Sequence, residues 1–265
     1  MVTLILKKTD TQGEERTEVR YFMRLAYNGA DYHGWQSQPN ATTVQESVEC
    51  ALSTVLRVPT AVTGAGRTDA GVNAAMMIAH FDTAEPIADA TQLVRKLNSI
   101  LGNDIVVYKV FPVADDAHAR FDATGRTYKY FVAEEKSPFD YRFAWHCRVP
   151  LDYELMNEAA AKLMDYTDFT SFSKLHTDVA TNNCRVTYAR WNLEDKHRVF
   201  TVTADRFLRN MVRAIVGTLV EVGRHKIGVD DFCHIIESKN RCSAGTSMPG
   251  NALFLWNITY PYKIE

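Results

Sequence analysis

The apolar positions of this chain alternate in some stretches and recur at helical spacing in others, and the order of the two patterns comes round twice. Arg20 to Tyr27 reads as a strand and ends on Asn28-Gly29, a turn dipeptide. From Thr43 the period changes. Val44, Val48, Ala51, Leu52 and Val55 follow a capping-box pair, Thr43 and Glu46, so a helix is predicted from Thr43 to Leu56, ended by Pro59. A short strand then enters a glycine-rich stretch, and Ala75 to Phe81 reads as the strand that leaves it. Ala88 to Leu101 predicts a second amphipathic helix, with Leu93, Leu97 and Ile100 inward and Gly102-Asn103 as its stop. Ile105 to Val113 reads as a buried strand.

The second round runs the same way. Arg126 to Ala133 predicts a strand, and Tyr153 to Met164 a helix capped by Asp152. Arg185 to Leu193 and Val199 to Ala204 predict a hairpin around Glu194-Asp195-Lys196. A long helix is expected from Phe207 to about Val222, with Leu208, Val212, Ile215 and Leu219 on one stripe. A shorter helix from about Asp230 to Glu237 and a closing strand, Leu253 to Tyr260, complete the chain. The first round is β-α-β-β-α-β, the split βαβ arrangement, and the second repeats that order with the shorter helix added before its last strand. The predicted fold class is therefore α+β, with two ferredoxin-like halves at residues 20–115 and 116–265. Their mixed or antiparallel sheets are expected to abut, leaving a central cleft for a ligand. Residues 1–19 read as an extension or tail, or as an extra edge strand through Val2 to Leu6.

Composition narrows the class. At 265 residues, 46% hydrophobic and 23% charged, the chain is an ordinary globular one with enough length for two cores. The five cysteines are odd in number and form no CxxC pair, which argues against a disulfide framework or zinc site and for reduced thiols in the cytoplasm. No apolar run is long enough to span a membrane. The net charge of −2 denies the chain an overall basic footprint. Between His197 and Lys226, however, six Lys and Arg face only Asp205 and Glu221, so the charge is locally positive.

Candidate chemistry gathers in a few segments. In GAGRTDAGVNA, Gly64 to Ala74, three glycines and a threonine surround Arg67 and Asp69. Glycine permits a tight turn and close approach to a ligand. The stretch lacks the third glycine of a dinucleotide fingerprint and the Lys-Ser/Thr pair of a phosphate loop. A plain turn remains the alternative. In HARFDATGRTYKYF, His118 to Phe131, Arg120, Arg126 and Lys129 are interleaved with Phe121, Tyr128 and Tyr130. Cations beside stacking rings suit base recognition, and a half-buried strand is the competing reading. In ADRFLRNMVRAIVG, Arg206, Arg209 and Arg213 are spaced to share one helical face, suited to phosphates or simply to solvent. Arg213, flanked by Val212 and Ile215, needs a partner if buried. TSMPGNALFLW, Thr246 to Trp256, runs from a polar turn into an apolar strand. The histidines are scattered, and none is assigned to a metal or to catalysis.

These segments together resemble the TruA-type tRNA pseudouridine synthases. GAGRTDAGVNA resembles the catalytic loop of that family, and YNGADYHGWQSQ with TVQESVECAL its opening. HARFDATGRTYKY, FLRNMVRAIVG and LFLWNITY follow in the family's order, and the resemblance extends from about residue 20 to 262. Departures are Asn73 where His is usual, Thr167-Asp168-Phe169 for His-Asp-Phe, and Ser247-Met248-Pro249, with Ala252 before Leu253, in the closing loop. They bear on which uridines are chosen and leave room for a paralogue with a shifted RNA target.

The resemblance implies the pseudouridine synthase fold and a cofactor-free isomerase, acting on uridines at tRNA positions thirty-eight to forty. It implies Asp69 as the essential carboxylate, attacking C1′ or removing the C2′ proton, with Arg213 as its partner. It implies Arg67 holding a flipped nucleotide, Tyr128 stacking on the uracil and Leu253 lining its other side. Arg120, Arg126, Arg206 and Arg209 would meet phosphates. The implied partners are tRNA and a second copy of the chain in a homodimer, with neither DNA nor a membrane. A non-catalytic tRNA-binding or folding factor is the competing class, and an intact Asp69, Arg67 and Tyr128 set speaks against it.

Overall fold

Two stretches of chain fold back on themselves by the same route. The computed structural model describes residues 8–9, 15–16, 18–174 and 181–264, so the expectation for Val2 to Leu6 lies outside the described residues. The described chain divides into two compact units. The first takes in residues up to Ala70, then Ala74–Ala123 and the last ones from Tyr260, and the second Gly71–Asn73 and Thr124–Thr259.

In the first unit, β1 (Lys8–Thr9) and β2 (Glu15–Arg16) make a small antiparallel ladder of their own. The sheet follows with β3 (Val19–Tyr27), α1 (Val44–Leu56), β4 (Thr63–Gly64), β5 (Asn73–Thr83), α2 (Ala90–Ile100) and β6 (Ile105–Pro112). Its strands lie in the order β6-β3-β5-β4, antiparallel throughout. Thr43 starts α1 by accepting the Glu46 amide on its hydroxyl at 3.4 Å. Val44, Val48, Ala51 and Leu52 then turn inward. The stop comes before Pro59, because Arg57 already adopts the left-handed conformation, φ 60°, at the C-cap. In α2, Leu93 and Leu97 are buried, but Ile100 in the last turn stays exposed. The predicted buried strand is instead one-sided. In β6, Ile105 and Val107 point inward while Val106 and Tyr108 face solvent, as befits the end of that unit's sheet. Asn98 of α2 clasps β6 by donating to the Val107 carbonyl and accepting its amide, both at 2.8 Å.

The second unit consists of β7 (Gly125–Ala133), β8 (Trp145–His146), α3 (Tyr153–Lys162), β9 (Val186–Glu194), β10 (His197–Ala204), α4 (Met211–Gly223), α5 (Val229–Glu237) and β11 (Leu253–Thr259). Its antiparallel order is β11-β7-β10-β9, and β8, too short to leave a pattern in the sequence, adds in parallel to β7. In both units the last strand lies beside the first, then come the third and the second. That is the ferredoxin-like order, so the split βαβ reading holds in each.

One helix departs from expectation in a way that matters. The long helix does not begin at Phe207. Asn210 takes a left-handed conformation, φ 66°, and α4 starts after it at Met211. From there α4 is buried almost all round, with Val212, Ala214, Ile215, Val216, Leu219 and Val220 in the core. The loop after α5 crosses it at Gly217, where a Cβ would meet the Thr246 carbonyl. No helix among the described residues is long and apolar enough to cross a membrane.

Candidate active site

The glycine-rich segment is shorter as a loop than its sequence suggests, because Gly64 ends β4 and Asn73 already begins β5. Residues 65–72 between them are braced at Thr68. Thr68 is buried, its hydroxyl lies 2.9 Å from that of Tyr27, and its carbonyl accepts the Trp35 amide at 3.2 Å. Gly34, at φ +93°, is required for that approach, since a Cβ there would run into the Thr68 carbonyl. Gly64 lies against the Trp35 indole, and the Ala65 amide binds the Ile78 carbonyl at 2.7 Å. The loop is thereby clamped at Thr68, with exposed Arg67 on one side and half-buried Asp69 on the other. The clamp residues Tyr27, Gly34 and Trp35 were not singled out from the sequence. The only local signal is a Gly-Trp pair inside an otherwise polar loop.

Past Asp69 the backbone turns at Gly71, φ +75°, and Asn73 is fully buried. Gly71–Asn73 are grouped with the second unit, where the Asn73 side-chain amide donates to the Asn251 carbonyl at 2.8 Å.

The remaining candidates are split between the units. In the first, Arg120 is exposed on a turn fixed by two histidines. His118 Nδ1 accepts the amides of Arg120 and Phe121 at 3.1 and 3.2 Å, and His80 Nδ1 accepts that of Ala119 at 3.2 Å. Burial, with the charge of Arg20 second, lowers both imidazoles, His80 to about 4, so at neutral pH they stand as uncharged acceptors. The ring of Phe121 stands in solvent beside the Arg120 guanidinium, 5.9 Å from centroid to carbon.

In the second unit, β7 brings Arg126, Tyr128 and Tyr130 onto one face at alternate positions. Tyr128 is buried edge-on against Phe207, centroids 5.1 Å apart. Leu253, at the start of β11, is buried and registers with Tyr130. The residues around Asp205 form a basic knot. Arg126 donates through Nη1 to the Asp205 carbonyl at 2.8 Å, and the Asp205 carboxylate accepts the amides of Arg185 and Arg206. Arg206 and Arg209 therefore sit in the loop before α4, and the shared helical face expected of Arg206, Arg209 and Arg213 does not form. Their spacing of three and four is incidental, because Asp205 and Asn210 hold the segment as a turn. Arg213 alone is on α4. Its Nε donates to the Met248 carbonyl at 2.6 Å while its own carbonyl accepts the Met248 amide, so loop and helix fix the guanidinium together. Beside it lies Tyr130, fully buried. Its hydroxyl has no hydrogen-bond partner among the described residues; burial pushes its pKa far above the ordinary tyrosine value, and the Arg213 charge opposes that.

What the arrangement offers is one carboxylate on a clamped loop in the first unit, and a ring, an apolar edge and several guanidinium groups in the second. Asp168, in the segment that departs from the family pattern, is occupied structurally. It accepts from the Thr170 hydroxyl at 2.6 Å and pairs with Lys239 at 2.9 Å, and these partners hold its pKa below the usual carboxylate value.

Comparison with known proteins adds a separate line of evidence. The family model described as tRNA pseudouridine synthase matches residues 24–122 and 159–261. A Parabacteroides distasonis protein named tRNA pseudouridine synthase A is 58% identical over 92% of this chain and 97% of its own. Its namesake from Bacteroides fragilis is 59% identical over 92% and 98%. That from Chlorobaculum tepidum is 37% identical over 90% and 96%.

Proposed function

The chain belongs to the tRNA pseudouridine synthase family, and from that premise we propose that it isomerises uridines at positions thirty-eight to forty of the tRNA anticodon stem-loop, with Asp69 as the catalytic carboxylate. As a tRNA pseudouridine synthase it is an isomerase. It breaks the N1–C1′ bond, turns the uracil and rejoins it through C5. Every atom of the substrate is retained, so no co-substrate enters the balance. The observation that carries the assignment of Asp69 is the clamp at Thr68, which gives a solvent-reaching carboxylate a fixed backbone. Pre-set geometry of this kind is what lowers a barrier.

Asp69 acts ionised, either as nucleophile at C1′ or as base at C2′, and we assign Arg213 as the cation that keeps it so. The Nε bond to the Met248 carbonyl restrains that guanidinium. The target uridine must leave its stack, at a cost of a few kcal/mol by rough estimate. Arg67 holds the flipped state, Tyr128 stacks on the uracil and Leu253 lines its other side. Arg126 and Arg206, gathered at Asp205, serve phosphates together with Arg209 and, from the first unit, Arg120. The free thiols of all five cysteines accord with a cytoplasmic enzyme.

We further propose that the enzyme is a homodimer, joined through the sheet face of the second unit that carries Phe131, Phe254 and Trp256. Phe131 stands edge-on to Phe254 at 5.2 Å, and Trp256 and Phe143 beside them remain 40% and 39% exposed. Lys129 on that face is neutralised by Glu194 at 2.7 Å and lies 4.6 Å over the Trp256 ring. A neutral aromatic face suits a protein surface rather than a phosphate backbone. Sedimentation of Trp256→Glu should give a monomer; an unchanged dimer would place the interface elsewhere.

The decisive assay is tritium release from C5-labelled uridine in tRNA. Wild-type protein should release it. Asp69→Asn should lower the rate by about a thousandfold or more while binding tRNA normally. Turnover near wild type would remove Asp69 from the mechanism. Tight binding of tRNA without release by the wild type would identify a binding or folding factor instead.

A further inference from the structure

The clamp at Thr68 fixes the middle of the Asp69 loop, and the far end runs on into β5. There the covalent path is Asp69, Ala70, Gly71, Val72, Asn73, and the first side chain after Asp69 with a bond to another segment of the second unit is Asn73. Its Nδ2 donates to the Asn251 carbonyl at 2.8 Å in a place where Asn73 is 1% exposed. Asn251 lies in the single helical turn Gly250–Ala252, whose last bond, from the Leu253 amide to the Gly250 carbonyl, sets the start of β11. Asn251 in turn donates through its own Nδ2 to the Tyr141 carbonyl at 3.1 Å. Gly71, at φ +75°, passes this turn with the Asn251 amide 3.9 Å from its would-be Cβ. A buried amide donor thus ties the end of the catalytic loop to the turn that leads into Leu253.

We propose that Asn73 is a positioning residue of the pseudouridylation reaction, acting through Asn251 to hold the exit of the Asp69 loop. This rests on the functional reading above. The chemistry needed at position 73 is a buried N–H donor aimed at a carbonyl. An amide supplies it at every pH, and a neutral imidazole could supply it too. An apolar residue cannot, and a carboxylate would set two acceptors face to face. Losing the donor leaves the Asn251 carbonyl unsatisfied and frees Gly71, whose conformational range is the widest in the loop. Asp69 itself remains, so the defect falls on geometry at the reacting atoms and not on RNA affinity.

The test uses full-length Asn73→Ala, Asn73→Asp and Asn73→His proteins. Single-turnover tritium release gives the chemical step, filter binding gives tRNA affinity, and hydrogen exchange of residues 65–72 in the free protein reports the loop. Asn73→Ala and Asn73→Asp should slow single turnover by about ten- to a hundredfold, with tRNA affinity within about twofold of wild type. Asn73→His should recover most of the rate. The loop amides should exchange faster in the Ala protein than in wild type or the His protein. Single-turnover rates within twofold of wild type for both Ala and Asp would overturn the proposal, as would a rate loss matched by an equal loss of affinity. A wild type that releases no tritium from any tRNA would instead defeat the functional reading. The exchange data, which need no substrate, would still decide whether Asn73 holds the loop, with unchanged protection in Asn73→Ala counting against it.

Discussion

The two units share one strand order and differ at one connection. In the second, β9 and β10 meet across Asp195 and Lys196, a tight turn with Asp195 at φ 52°. In the first, the corresponding strands β4 and β5 are joined by residues 65–72, and the strand before the loop has shrunk to two residues. The hairpin that is merely structural in one unit has been opened in the other to carry Arg67 and Asp69. A second difference runs the other way. Helix α2 buries one stripe, Leu93 and Leu97, whereas α4 is enclosed almost all round and holds Arg213 at its edge. The chain has thus placed a carboxylate on a lengthened turn and a guanidinium cation on a sunken helix. A loop holds a side chain in one place only if something else holds the loop, and here Tyr27, Gly34 and Trp35 do so at Thr68.

The comparison breaks most visibly at Gly34. Gly34→Ala puts a methyl group against the Thr68 carbonyl and forces an L-residue into φ +93°. The clamp should shift, and single-turnover release should fall by about a hundredfold, the cost of misplacing a reacting group by roughly an ångström. Rates near wild type would mean that the loop does not depend on its brace. Gly217→Ala, on α4, should act on stability instead. The Thr246 carbonyl must move, at a cost of about 1–3 kcal/mol read from urea melts, and an unchanged midpoint would show that the crossing loop yields freely.

A pH series sharpens the contrast from the first unit's side. The folded pKa of His80 is lowered to about 4, below its ordinary value, so between these limits the unfolded chain binds more protons than the fold. Stability from this group is full above the ordinary histidine range and is lost as pH falls through it towards 4. His80→Gln, which keeps an acceptor for the Ala119 amide, should flatten that acid limb in thermal melts; an identical profile would assign the loss to other groups. The smallest effect is expected at the tight turn. Asp195→Gly relieves its left-handed conformation, should stabilise by at most about 1 kcal/mol, and should leave tritium release untouched.

Much of this was legible before any coordinates. Period and caps disclosed the sequence of elements in each unit because Thr43 and Asp152 act locally, each accepting an amide three residues on. The readings that failed were those decided by distant partners. Arg206 and Arg209 had helical spacing, but Asp205 reaches the Arg185 amide across the sheet edge and keeps the segment a turn. Asn210, a residue tolerant of left-handed backbone, was the overlooked sign. Val106 and Tyr108 looked as buried as their neighbours because periodicity does not say which strand ends a sheet. In the candidate site, the residue types Arg67, Asp69 and Tyr128 stood out from sequence. The clamp did not, since Tyr27 and Thr68 are forty-one positions apart.

The units are not successive lengths of chain: three residues, Gly71–Asn73, are lent to the second by the first, and the chain returns to the first from Tyr260. Cleaving the polypeptide after Ala123 would therefore yield no self-sufficient half. One fragment would lack its closing tyrosines, Tyr260 and Tyr262, which tie down Ala119 and Asp122. The other would lose the donor that Asn251 receives from Asn73. Restoring both contacts from two such fragments would require each piece to be present while the other folds.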